Sequence, residues 1–232
     1  MNSDTRWIDI QGDDGTFQAY QALPRGGRGP GIVLIQEIFG VNAHIRSVAE
    51  QYAADGYVVL APDLFWRQGA HIELGYDDGD WKKAVALKGA TDTTKAVADV
   101  AAAVRTLRGL AGVGSKVASI GYCFGGLLSY LTAANGTVDA AIAYYGGGIQ
   151  NQLDRADDIA IPLLLHFGGK DSHIPQDAVK SIAERFGDRD NVEIHVYPDA
   201  EHGFNCSHRG SYHQRSAVEA RGHTLLFLAE NQ

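Results

Sequence analysis

The sequence predicts a single α/β domain over residues 1–232, built on a mostly parallel, twisted sheet with helices on both faces. Three observations carry that expectation. Short apolar stretches alternate with stretches of helical period along the chain, and alternating strands and helices imply right-handed crossovers between parallel strands. The run at 32–35 is apolar at every position, which suits a strand buried on both faces. No repeat, linker or low-complexity tract divides the chain, and 232 residues suit one domain of this class.

Residues 6–11 alternate Trp7, Asp9 and Gln11 with Ile8 and Ile10. Gly12-Asp13-Asp14-Gly15 makes a turn and the pattern resumes over 16–23, giving an antiparallel pair at the sheet edge. A glycine-rich loop leads to the strand at 32–35. Asn42 is an N-cap for a helix with Ile45, Val48, Ala49, Tyr52 and Ala53 on one face, ending near Gly56. A strand over 57–61 stops at Pro62-Asp63, and 64–80 reads as irregular, punctuated by Gly69, Gly75 and Gly79. Asp92 opens a long helix through Leu110, with Ala96, Val97, Val100, Val104 and Leu107 facing the core. Further strands are expected at 116–120, 140–145, 161–167 and 192–197, and helices at 127–134, 175–186 and 211–230. Pro175 suits a first turn and Asn135-Gly136 a helix end.

Hydrophobic residues make up 45% and charged residues 21%, enough apolar material for a sizeable core. A net charge of −8 argues against nucleic acid or an anionic membrane as the main partner. Residues 1–6 lack a basic segment leading into an apolar run, so no secretory signal is expected. No stretch approaches the roughly 18 consecutive apolar residues of a membrane-crossing helix. Two cysteines make a disulfide framework unexpected, and a cytoplasmic setting is the simplest reading. The expectation is a monomer acting on a small molecule, with neither cofactor nor metal. No Cys/His spacing matches a structural zinc site, and the glycine runs at 26–27 and 146–148 lack a phosphate-loop lysine.

The chemistry centres on Gly121-Tyr122-Cys123-Phe124-Gly125-Gly126, which joins a predicted strand to a predicted helix. This is the pattern of a nucleophile elbow, with cysteine where serine is usual. The plainer alternative is a buried cysteine acting as a small hydrophobe. Cys123, Asp171 and His202 each follow a predicted strand, and ligands of open α/β sheets bind beyond the carboxyl ends of strands. Their order in the chain, nucleophile then acid then histidine, is that of α/β-hydrolases. His202 would take the thiol proton and Asp171 would orient the ring. A neighbouring histidine and a helix N-terminus favour thiolate over a thiol of pKa roughly 8.5. The alternatives are a turn aspartate and one surface histidine among nine. Backbone N–H groups of Phe124 and Ile38 are the candidate oxyanion donors.

At these motifs the chain resembles the dienelactone hydrolase (carboxymethylenebutenolidase) family. The matching pieces include residues 36–42, Ala61-Pro62-Asp63-Leu64, the elbow, Ala143-Tyr144-Tyr145-Gly146, residues 166–171 and Ala200-Glu201-His202-Gly203-Phe204. The resemblance implies an α/β-hydrolase fold and hydrolysis of a lactone or small ester through an acyl-thioester on Cys123. It also implies that Glu37 hydrogen-bonds the resting thiol and helps form the thiolate. Without the resemblance, Glu37 would read as a solvated loop carboxylate.

The chain departs from the family pattern where a substrate carboxylate would be held. The arginine expected four positions after the histidine is replaced by Cys206, and no arginine occurs over 76–83. Lys82 and Lys83 are not bidentate clamps. Trp81 either lines the pocket or packs in the core, Cys206 reads as an apolar wall residue, and Arg209 as a surface arginine near the mouth. A broader carboxylesterase or thioesterase on neutral acyl groups is thus the alternative within enzymes. A non-catalytic binding protein of this fold would predict a damaged triad, and the triad is intact.

Overall fold

The computed structural model describes residues 4–187 and 189–232. Residues 1–3, part of the stretch read for a secretory signal, lie outside the described residues. Contacts divide the chain into two compact units, with the boundary between Ser119 and Ile120.

In the first unit, β1 (Asp4–Gln11) and β2 (Thr16–Leu23) form the expected antiparallel pair, with Asp4 opposite Leu23 and Gln11 opposite Thr16. The turn between them closes with the Gly12 N–H on the Gly15 carbonyl at 2.9 Å. β2 pairs antiparallel with β4 (Val58–Pro62), and β4 pairs parallel with β3 (Gly29–Ile35). The strand order here is β1-β2-β4-β3-β5, β5 running Val113–Tyr122. Ile32, Val33, Leu34 and Ile35 are wholly buried, as a strand covered on both faces requires.

α1 (Ala43–Ala54) starts at Asn42, whose Oδ1 accepts the Ile45 N–H at 3.2 Å, and it buries the stripe read from the sequence. α3 (Thr93–Gly109) is capped by Asp92 and also buries its predicted stripe. The element that the sequence hides is α2, Asp78–Ala90. It begins inside the stretch read as irregular. Asp77 caps it, accepting the Asp80 N–H at 2.8 Å. Only Ala84 is buried along it, so no apolar stripe of helical period announces it. The loop before it is pinned: the carboxylate of Asp63 accepts the N–H groups of Phe65 and His71, and Arg67 bridges Asp14 and Asp99.

In the second unit, α4 (Phe124–Ala134) follows the end of β5. β6 (Ala140–Tyr144), β7 (Leu163–Gly168) and β8 (Val192–Tyr197) pair parallel in that order. Two short 3-10 turns, Ile149–Asn151 and Leu153–Asp158, link β6 to β7. α5 (Gln176–Phe186) buries Val179, Ile182 and Phe186; Pro175 stands at its N-cap rather than in its first turn. α6 (Gln214–Asn231) ends the described chain but for Gln232. Because β7 and β8 run the same way, the loops carrying Asp171 and His202 leave the sheet at the same edge.

Candidate active site

The turn between β5 and α4 is forced by backbone contact. A Cβ on Gly121 would overlap the Gly125 carbonyl, so strand and helix approach this closely only with glycine there. Cys123 takes the strained position of the elbow, with φ 54 and ψ −114. Its N–H donates to the Tyr144 carbonyl at 3.0 Å, and its own carbonyl accepts from Gly126 at 2.9 Å. Phe124 is the first residue of α4. N–H groups at that position have no acceptor within their own helix and carry its positive dipole end.

Within this unit the thiol meets an imidazole. Cys123 Sγ lies 3.1 Å from His202 Nε2. His202 Nδ1 lies 2.7 Å from Asp171 Oδ2. The other oxygen of Asp171 accepts the N–H groups of His173 at 2.7 Å and Ile174 at 3.1 Å. The carboxylate is thus fixed before it fixes the ring. The loops bearing Asp171 and His202 are zipped together by Gly169 N–H to Tyr197 O at 2.7 Å and Lys170 N–H to Ala200 O at 2.9 Å. A Cβ on Gly169 would stand 2.6 Å from Pro198 Cα, so glycine is what lets the loops close.

Electrostatics follow the geometry. Burial alone would pull the His202 pKa down. Negative charge at Cys123 and the bond to Asp171 outweigh it and push the ring up to about 10. This favours an imidazolium at His202. Two side chains given no role in the sequence reading touch His202: Tyr145, with ring centroids 5.1 Å apart, and His173, at 4.9 Å. In sequence they are a strand end and a turn residue; only the fold makes them neighbours of the histidine.

Cys206 is fully buried. Arg209 is not a free-standing surface residue: its guanidinium packs so closely on Gly203 that a Cβ there would collide with it. Glu37, Ile38 and Trp81 belong to the first unit. Glu37 is 1% exposed, so it is not the solvated carboxylate that its loop position suggests. Tyr76 donates to Glu37 Oε2 at 3.4 Å and accepts from Asn42 Nδ2 at 3.0 Å. Ile38 is buried, and Trp81 is half-buried on α2 with its ring 5.8 Å from Phe39.

Residues 17–231 match the model of the dienelactone hydrolase family. The carboxymethylenebutenolidase of Pseudomonas putida is 37% identical over 230 residues, covering 98% of each chain. Carboxymethylenebutenolidase 1 of Cupriavidus pinatubonensis is 34% identical over 216 residues, covering 93% of this chain and 92% of its own. The crystal structure of a candidate dienelactone hydrolase from Klebsiella pneumoniae superposes with a TM-score of 0.86 at 30% identity, covering 99% of each chain. The fold is therefore the α/β-hydrolase fold, and the chain belongs to the dienelactone hydrolase family.

Proposed function

We propose that this hydrolase cleaves a lactone or small carboxylic ester through an acyl-thioester on Cys123. The observation that carries the proposal is the unbroken row from Cys123 Sγ through His202 to Asp171 at 3.1 and 2.7 Å. In the first half-reaction the thiolate attacks the ester carbonyl carbon. A C–S bond forms, and the carbonyl electron pair moves onto oxygen, where the Phe124 N–H stabilises it. As the electron pair returns, the C–O bond breaks and the His202 imidazolium gives its proton to the leaving alkoxide. In the second, His202 takes a proton from water, the hydroxide attacks the thioester, and the C–S bond breaks. The products are an acid and an alcohol, joined in one molecule when the substrate is a lactone. Thiolate and imidazolium are restored, and water is the only co-reactant.

The family resemblance supports Ile38 as the second oxyanion donor and Glu37 as the carboxylate that helps form the thiolate. Burial of Glu37 fits such a role better than a solvated position does. The relatives named carboxymethylenebutenolidase support an anionic lactone as the substrate. Cys206, apolar and buried where the family pattern has an arginine, favours the second reading, a neutral ester or thioester. Rates on an anionic dienelactone and on neutral aryl esters, measured side by side, decide between them. Hydrolysis of at least one is expected; failure on both, with folded protein, overturns the proposal.

A further inference from the structure

Among the described residues of the second unit, two that are not glycine have left-handed backbones: Cys123 at φ 54 and Tyr145 at φ 38. The elbow accounts for the first. A bulky aromatic in this region is strained, and such strain persists only where the surroundings over-determine it. Tyr145 is so held. It is fully buried just past the end of β6, and its N–H donates to the His166 carbonyl at 2.7 Å. Its ring meets Phe204 edge-on at 5.3 Å and 73°, and His202 at 5.1 Å and 60°. The residue before it, Tyr144, accepts the Cys123 N–H. This one strand end therefore touches both the nucleophile and its base.

Partners at Nδ1 and Nε2 hold the His202 ring at its two nitrogens, and the bond to Cβ holds it at a third corner, so the motion left to it is rocking through χ1 and χ2. The terminal torsion of a histidine is itself broad. Lateral contacts narrow that rocking, and rings meeting edge-on do so with a preferred angle. Tyr145 supplies one. His173 supplies another, at 4.9 Å and 68°, from a loop whose N–H also holds Asp171. An imidazolium gains more from an aromatic neighbour than a neutral ring does.

We propose that Tyr145 is a positioning residue whose ring, together with that of His173, narrows the rocking of His202 between Cys123 and Asp171. Its meaning for turnover rests on the acyl-thioester reading. Its effect on the thiol does not, because alkylation of Cys123 by iodoacetamide reads the His202 contact without any substrate.

The test compares Tyr145→Phe, Tyr145→Leu and His173→Ala for kcat, KM and the pH profile of Cys123 alkylation, scored on the Cys123 peptide by mass. Tyr145→Phe keeps the ring and is expected within about twofold of the parent, since the contact needs no hydroxyl. Tyr145→Leu is expected to lose about tenfold in kcat with KM nearly unchanged, and alkylation near neutral pH should fall with it. His173→Ala, at an exposed position, should fold and show a smaller loss in the same direction. It decides the matter if Tyr145→Leu does not fold. Parental kcat and alkylation in the folded variants overturn the proposal, as does a loss confined to KM, or a Phe variant as poor as Leu. If the parent hydrolyses no ester, the functional reading fails, while the alkylation series still decides this one.

Discussion

Two histidines of the second unit, His166 and His202, are both buried, and their surroundings push them in opposite directions. His166 on β7 pairs with the Tyr197 hydroxyl at 2.9 Å and the Thr224 hydroxyl at 3.0 Å, with the rings of His195 and His223 close by. Burial, then the charges of those two histidines, hold its pKa well below the ordinary 6.5. Burial works against charge at His202 too, yet the Cys123 and Asp171 partners carry it up to about 10. Burial lowers both histidines; what separates them is whether charged partners outweigh it, as they do only at His202. Hydroxyl partners make a neutral brace that ties β7 to α6. A carboxylate and a thiol surround the histidine that the proposed mechanism uses as its proton carrier.

The largest expected effect is at Cys123, the proposed nucleophile. Cys123→Ala should lower kcat by more than about 10⁴-fold, the scale seen when a nucleophile is removed from a triad. Circular dichroism should be unchanged, because the half-exposed thiol adds little packing. Asp171→Asn should follow at about 10²–10⁴-fold, since an amide no longer favours the imidazolium. His166→Phe should separate the two histidines. It removes one partner each from the hydroxyls of Tyr197 and Thr224, which keep His223 and Tyr144, and should cost about 1 kcal/mol in urea unfolding, with kcat close to the parent. A loss of kcat matching that of Asp171→Asn would end the distinction between brace and proton carrier.

The smallest effect is in the pH dependence of stability, where the two histidines act at opposite ends. His202 binds its proton more tightly in the folded chain. Its contribution is fully present below the ordinary 6.5 and is lost as pH rises through about 10. His166 binds its proton less tightly in the folded chain. The unfolded chain is therefore protonated first, and stability falls as pH drops below 6.5. Urea midpoints across pH should show His166→Phe easing the acid decline and Cys123→Ala easing the alkaline one. The reverse assignment would contradict the comparison.

Legibility in the sequence follows the same division between local pattern and assembled surroundings. The edge pair, the buried run at 32–35 and the stripes of α1 and α3 were legible because burial imposes a period on the residues themselves. α2 was not, because a helix with only Ala84 buried has no period to show. Of the candidate site, the sequence carries the strand-end placement and chain order of Cys123, Asp171 and His202. It does not carry Tyr145 and His173 as neighbours of the imidazole, since neither belongs to a motif with a role of its own. Burial of Glu37 was equally hidden, a carboxylate in a loop being indistinguishable from a solvated one until Tyr76 is seen beside it.

The most direct test of the central claim is intact mass spectrometry of the enzyme quenched early in turnover of an aryl ester. The account predicts an adduct with the mass of the acyl group, located on the Cys123 peptide and absent from Cys123→Ala. Turnover that proceeds with no such adduct, at a rate the alanine variant matches, would contradict it.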